Sequence, residues 1–211
     1  VVPLELDPEL IRQALQFLKQ FELRIEPRIQ VPKGAFETYA LGGNLPPQLR
    51  VERGCVLSRW GDAGWGWLVA DDKHAGRFRD ELVGAAAEMI LKRWRPEPTP
   101  EWVACVPSLR HPTLVTDFAK RLAQRLGLPF REAVSKARDN PPPKLQNNSF
   151  FQCRNLDGAF EVKRAVPNTP VLLVDDVVDS RWTMTVVAAL LRQAGSGPVF
   201  PIALATTATN G

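Results

Sequence analysis

Two rhythms of apolar and polar residues run along this chain, and they predict its elements. Asp7-Pro8 opens a helix, with Asp at the N-cap and Pro in the first turn. Leu10, Ile11, Leu15 and Leu18 then fall on one face, to about Phe21. Leu23 to Val31 is short and strand-like, broken by Pro27 and Pro32. Lys33 to Gln48, with Gly42-Gly43 and Pro46-Pro47, reads as loop. Val51 to Val69 predicts a β-hairpin, in which Cys55–Trp60 and Trp65–Val69 flank Gly61-Asp-Ala-Gly64. Phe78, Leu82, Ala86, Met89 and Ile90 lie at helical spacing up to Trp94, and Pro96 follows.

Trp102–Val106 is a compact apolar strand, after which Thr116 caps a helix with Phe118, Leu122 and Leu126 inward, closed by Gly127. Arg131 to Gln152 is polar, with Pro141-Pro-Pro143 and Asn147-Asn148, and predicts a long loop. A short strand ends at Val162. Val171–Val174, a helix over 184–193 stopped by Gly195, and Val199–Ala205 complete a β/α alternation. The expected fold is α/β, a mainly parallel sheet flanked by helices, with a small N-terminal helix plus β-hairpin appendage. The appendage takes residues 1–70 and the main domain 71–211.

One stretch carries chemistry. The uninterrupted run Val171-Leu-Leu-Val174 has the character of a strand buried on both faces, and it leads into Asp175-Asp176. In open parallel sheets, ligands sit beyond the carboxyl ends of such strands. The loop Asp179-Ser180-Arg181-Trp182-Thr183 then enters a helix, whose first N–H groups favour a phosphate. Paired carboxylates suit ribose hydroxyls or a hydrated Mg²⁺, so the segment reads as a site for a phosphorylated sugar.

This segment resembles the phosphoribosyl pyrophosphate (PRPP) signature of type I phosphoribosyltransferases, a strand, two acids, three residues and Thr-Gly-x-Thr. The resemblance makes Asp175 and Asp176 the ribose-binding, catalytic pair, which would meet Mg²⁺ through water or ligand hydroxyls. Ser180 and Thr183 take the two Thr positions, and Arg181 stands where a Gly backbone would embrace the 5′-phosphate. The Arg181 side chain is expected to reach that phosphate itself. Trp182 either stacks on a base or packs beneath the loop. The resemblance also implies a pyrophosphate loop after the first core strand, Pro107-Ser108-Leu109-Arg110, where Arg110 offers a cationic fork. His111 reads as a structural or surface residue. Lys136, Arg138 and Lys144 belong to a catalytic loop closing over PRPP, with Arg138 and Lys144 named as catalytic. Lys73 and Arg77 match a Lys-x-x-Gly-Arg element, or form a plain solvated helix start.

Gln152, Arg154 and Asn155–Phe160 resemble the ComF-type branch of that family. Together with Trp60–Gly66, Val106–Pro112 and Val174–Ser180, they are similar to the C-terminal region of bacterial RecQ-family ATP-dependent DNA helicases. That resemblance implies a fragment of such a helicase, which the missing initiating Met fits, with DNA reached through the parent protein. Two functions stay open, an active transferase joining a base to PRPP, and an idle module that senses a nucleotide or docks partners.

Composition narrows this little. A hydrophobic fraction of 45% with 24% charged residues is ordinary for a globular chain. The net charge of +4 suits phosphates or DNA, yet a solvated basic face gives the same value. Lys92–Arg95 and Lys120, Arg121 and Arg125 are the clusters concerned. Cys55, Cys105 and Cys153 form no CxxC pair, so neither a zinc ribbon nor a disulfide framework is expected; no zinc or haem is implied, and a reducing cytoplasm fits. No run is long enough to span a bilayer, and no GxxxxGK[ST] element provides for ATP hydrolysis. The acceptor base and the oligomeric state leave no mark in the sequence.

Overall fold

The computed structural model describes residues 7–20, 23–138, 148–163 and 165–208. Its centre is β8 (Val171–Val178), whose Val171 and Leu173 enter one apolar cluster while Leu172 and Val174 enter another. Alternation in a strand sends successive side chains to opposite faces, so burying all four requires a cover on each side. Parallel neighbours flank it, β5 (Trp102–Cys105) and β9 (Val199–Thr206). β4 (Gly54–Arg59) pairs parallel to β9, and β1 (Leu23–Ile25) closes that edge antiparallel. The order is β1-β4-β9-β8-β5, a mainly parallel sheet flanked by helices, as the sequence pattern predicts.

One face is covered by α2 (Gly66–Ala75), α3 (Asp80–Glu88) with a π-helical turn at Met89–Trp94, and α4 (Leu114–Leu126). The other is covered by α6 (Trp182–Gln193), α5 (Ser149–Leu156) and two antiparallel pairs. These pairs are β2 (Gln30–Phe36) with β3 (Leu41–Asn44), and β6 (Val134–Lys136) with β7 (Phe160–Val162). The Tyr39 hydroxyl donates to the Phe160 carbonyl at 2.9 Å and accepts from its amide at 2.6 Å. Buried Asp157 accepts from the Thr38 amide and hydroxyl. The β2–β3 turn is thereby tied to the end of α5.

Several expectations are corrected. The N-terminal hairpin exists, but at β2–β3, running from the end of the strand-like stretch into the one read as loop, not at Val51–Val69. Gly34 and Gly43 adopt positive φ of +71° and +64°, the freedom that lets this glycine-punctuated stretch pair with itself. Trp65–Val69 has a strand-like composition, yet it opens α2. Asp62 is the reason, because its carboxylate accepts the amides of Arg59, Gly64 and Gly66 at 2.8, 3.0 and 2.8 Å. These bonds fold the chain back directly after β4 and satisfy an early amide of the helix. Position 70 lies inside α2, and β4 pairs within the main sheet.

Helix α1 (Pro8–Gln20) forms where expected, but Leu10, Ile11, Leu15 and Leu18 remain exposed rather than buried. Its C-terminal end makes the polar contacts, with Trp65 Nε1 donating to the Lys19 carbonyl and Arg93 to that of Gln20. Helix α4 starts ahead of Thr116, whose hydroxyl donates back to the Pro112 carbonyl at 3.2 Å instead of capping. The polar stretch 131–152 contains β6 and the start of α5, so it is not one loop.

The basic clusters are largely used internally. Lys92 pairs with Glu88, Lys120 with Glu132, and Arg121 with Asp80 and Asp117. All three cysteines are buried and free, and burial pushes the Cys105 thiol up to about 11 and that of Cys153 up to about 12. Among the described residues no helix is long and apolar enough to cross a membrane.

Candidate functional site

At the carboxyl ends of β5 and β8 lies a cavity of about 280 Å³. Its lining gathers residues from stretches far apart in the sequence. Asp175 and Asp176 come from β8, Ser180 and Thr183 from the turn into α6, and Pro107, Ser108 and Arg110 from the loop after β5. Lys73 enters from the last turn of α2, and Lys136 from β6. The loop after β5 is closed by the His111 amide donating to Ser108 Oγ at 3.2 Å. That bond uses the oxygen as acceptor and leaves the Ser108 proton to be donated elsewhere.

The acid pair is electrostatically uneven. Burial pushes the Asp175 carboxyl well above the ordinary carboxylate range, and the adjacent Asp176 charge pushes it further. A bond from the Asp176 amide to Asp175 Oδ1 at 2.8 Å and the Lys73 charge act against this rise. Asp176 Oδ2 lies 2.8 Å from Lys73 Nζ, and its Oδ1 accepts the Val177 amide at 2.7 Å. Between the unfolded Asp value near 3.8 and the raised folded value, the folded chain holds one proton more than the unfolded one. Stability from this group therefore falls as pH rises through that window. Asp175→Asn is expected to raise the melting temperature near neutral pH, with the gain shrinking toward about pH 4, in thermal denaturation scans. A variant less stable than wild type at neutral pH would refute this.

Arg181 holds the left-handed conformation, φ +68° and ψ −1°, which the Gly of the transferase pattern adopts without strain. Its guanidinium bonds the Glu26 carbonyl at 3.2 Å and is not among the residues lining the cavity. Arg28 reciprocates, with Nε donating to the Ser180 carbonyl at 2.7 Å and its guanidinium 4.3 Å from the Trp182 ring centre. Arg181→Gly should match or exceed wild-type stability. Arg181→Ala should fall below it by about 1 kcal/mol, because Ala keeps the backbone strain and loses the bond. Chemical denaturation of both variants measures this order.

Other expected site residues stand elsewhere. Trp182 is 1% exposed and packs edge-on against Phe36, beneath the loop. Asp179 and Leu109 are exposed and outside the cavity lining. Arg77 is exposed, 4.0 Å from Asp80, and likewise outside it. Arg138 bonds the Asp157 carbonyl rather than facing the cavity, held there by the docked end of α5. Lys144 lies outside the described residues. In the other direction, His111, Gln152, Asn155 and Phe160 line the cavity without having been named as site residues. Gln152 and Asn155 are three apart on α5, a spacing that places both on one helical face and was legible in principle.

Among the described residues no group of three or more His, Cys, Asp or Glu could cage a metal ion. The donors that remain are Asp175 and the Lys73-paired Asp176. They fit a hydrated Mg²⁺ that arrives with a phosphorylated ligand and takes most of its oxygens from that ligand. They do not fit a resident metal.

The chain matches no model of a known protein family and no curated protein. Among solved structures, similarity is found to an adenine phosphoribosyltransferase at 20% identity and a TM-score of 0.39, covering 60% of this chain and 72% of that one. The adenine phosphoribosyltransferase of Leishmania tarentolae gives 14% and 0.40, covering 68% and 80% respectively. That of Leishmania donovani gives 13% and 0.41, covering 93% and 84%. At such scores these likenesses carry no argument, and function has to be read from the site.

Proposed function

We propose that this chain is a phosphoribosyltransferase-like domain that binds PRPP or a nucleotide 5′-phosphate. The observation that carries the reading is the meeting of three elements in one cavity. They are the acid pair Asp175-Asp176, the Ser180/Thr183 turn at the start of α6, and the Ser108/Arg110 loop after β5. The first amides of α6 and the hydroxyls of Ser180 and Thr183 would hold the 5′-phosphate. Asp176 would accept a ribose hydroxyl, while Asp175, biased toward its neutral form, can donate as well as accept. Ser108, Arg110 and Lys136 supply donors and positive charge for a pyrophosphate. Mg²⁺ entering with the ligand would offset charge on that leaving group.

Two versions of this reading differ in turnover. The acid pair supports an active transferase acting on a nitrogenous base. Arg181 in a glycine conformation, with its side chain turned to Glu26, favours a module that binds without reacting. The motifs Trp60–Gly66, Val106–Pro112 and Val174–Ser180 support a place beside a RecQ-like helicase core, where the domain would sense a nucleotide or dock partners or DNA.

Incubation with labelled PRPP, Mg²⁺ and a panel of bases tests the proposal. The expected result is saturable binding of PRPP or a nucleotide monophosphate, with no base-dependent release of pyrophosphate by either wild type or Arg181→Gly. Ready turnover by wild type would replace the idle version with the active one. Binding of neither ligand would overturn the proposal.

A further inference from the structure

The ion pair inside the cavity has a chemical direction. Lys73 Nζ is 2.8 Å from Asp176 Oδ2, with the two side chains 29% and 12% exposed. Its helix is held from both ends. At the start, Gly66 is packed beneath the Arg59 carbonyl and the Asp62 carboxylate. At the end, Asp72 is 4% exposed and takes the Arg79 amide at 2.7 Å and Arg79 Nε at 2.7 Å. Lys73 follows Asp72 directly, so the clamp fixes where its stem leaves the helix while its long chain keeps rotational freedom. Helix α2 packs on the sheet face opposite α6. The ammonium therefore comes to Asp176 from the helix on one sheet face, while the Ser180/Thr183 turn leads into the helix on the other.

We propose that Lys73 is the specificity-determining residue that selects a sugar bearing an anionic group next to its hydroxyl pair, distinguishing a 1-pyrophosphate from an uncharged anomeric position. This rests on the PRPP reading of the cavity. A ligand hydroxyl bonding Asp176 takes over contacts that Lys73 makes. The displaced ammonium then needs a new negative partner, because leaving a partly buried charge unpaired is costly. A 5′-phosphate at the start of α6 lies on the far side of the ligand. A pyrophosphate on C1 is one carbon from the hydroxyl-bearing C2, within reach of a flexible lysine. A ligand offering both groups exchanges one charge-assisted contact for another, and a ligand offering only the hydroxyls does not.

Ribose 5-phosphate and PRPP separate these cases, since they share the sugar and the 5′-phosphate and differ at C1. Titration calorimetry of wild type, Lys73→Met and Lys73→Arg with each ligand, with Mg²⁺ present, reads the ratio of the two affinities. In Lys73→Met this ratio should fall by about tenfold to a hundredfold, the value of one charge-assisted contact. Its affinity for ribose 5-phosphate should be unchanged or higher, because Asp176 is released, and Lys73→Arg should retain most of the ratio. Equal weakening of both ligands in Lys73→Met would mark a merely structural lysine and overturn the inference, as would an unchanged ratio. If wild type binds neither ligand, the PRPP reading fails and this inference with it. If Lys73→Met proves unstable, a Lys73→Gln variant that binds ribose 5-phosphate as wild type does yet keeps the full PRPP preference overturns it equally.

Discussion

Gly66→Ala is expected to be among the most damaging single substitutions in this chain. A Cβ at this position would lie 1.8 Å from the Arg59 carbonyl oxygen and 2.9 Å from Asp62 Oδ1. The first contact is with backbone that is held in turn, since Asp62 accepts the Arg59 amide at 2.8 Å. Neither atom can retreat without breaking the turn that starts α2, and with it the path of Lys73 into the cavity. The cost should be about 3 kcal/mol or more, the range of overpacking at a rigid site. For a chain of this size that lowers the melting temperature by roughly 6–12 °C. Gly84→Ala is the control, because a Cβ within α3 meets nothing inside 4 Å and helix propensity favours Ala. Circular dichroism melts should therefore move in opposite directions for the two variants. A Gly66→Ala protein as stable as wild type would show that the turn relaxes freely.

Asp176→Ala is the substitution expected to hurt ligand binding most. Asp176 is 9% exposed, lines the cavity and holds Lys73. On the proposed reading its removal deletes an acceptor for the sugar hydroxyls, and affinity for PRPP or a nucleotide monophosphate should then fall by about 1–3 kcal/mol. Stability should move less, because two effects oppose each other. Lys73 loses its partner, while Asp175 loses the neighbouring negative charge that raises its pKa. Calorimetry beside a melting curve separates the two outcomes, and equal affinity in variant and wild type would remove Asp176 from the site.

The part of the fold legible in the sequence is the part governed by burial. Val171–Val174 is apolar at every position because both of its faces are covered, and no exposed strand or amphipathic helix needs such a run. The same holds for Trp102–Val106 and Val199–Ala205, and the acids and hydroxyls that follow β8 fall into one cavity with the β5 loop. The misplaced elements are those decided by tertiary bonds. Trp65–Val69 looks like a strand by residue type, but three amides bonded to a single aspartate turn it into a helix. The β2–β3 hairpin hides behind glycines and prolines, and its docking onto α5 and β7 through Thr38 and Tyr39 is a long-range event with no local pattern. Arg181 is placed by its position in a motif and Arg138 by its place in a loop. A long cationic side chain takes the best nearby carbonyl, and no spacing rule encodes which one that is.

The reciprocal arginine clasp has a consequence for how the molecule opens. Arg28 holds the Ser180 carbonyl and Arg181 holds the Glu26 carbonyl, so the chain between β1 and β2 is fastened to the turn that begins α6. Two segments more than 150 positions apart in sequence thus share their hydrogen bonds. Neither can fray without releasing the other. In native-state hydrogen exchange the amides at the start of α6 would belong to the same opening unit as the N-terminal strands, rather than to the local fluctuations of a surface loop. The turn into α6 then inherits its rigidity from the first fifty residues, and shortening the chain from that end would loosen the cavity before it exposed the core.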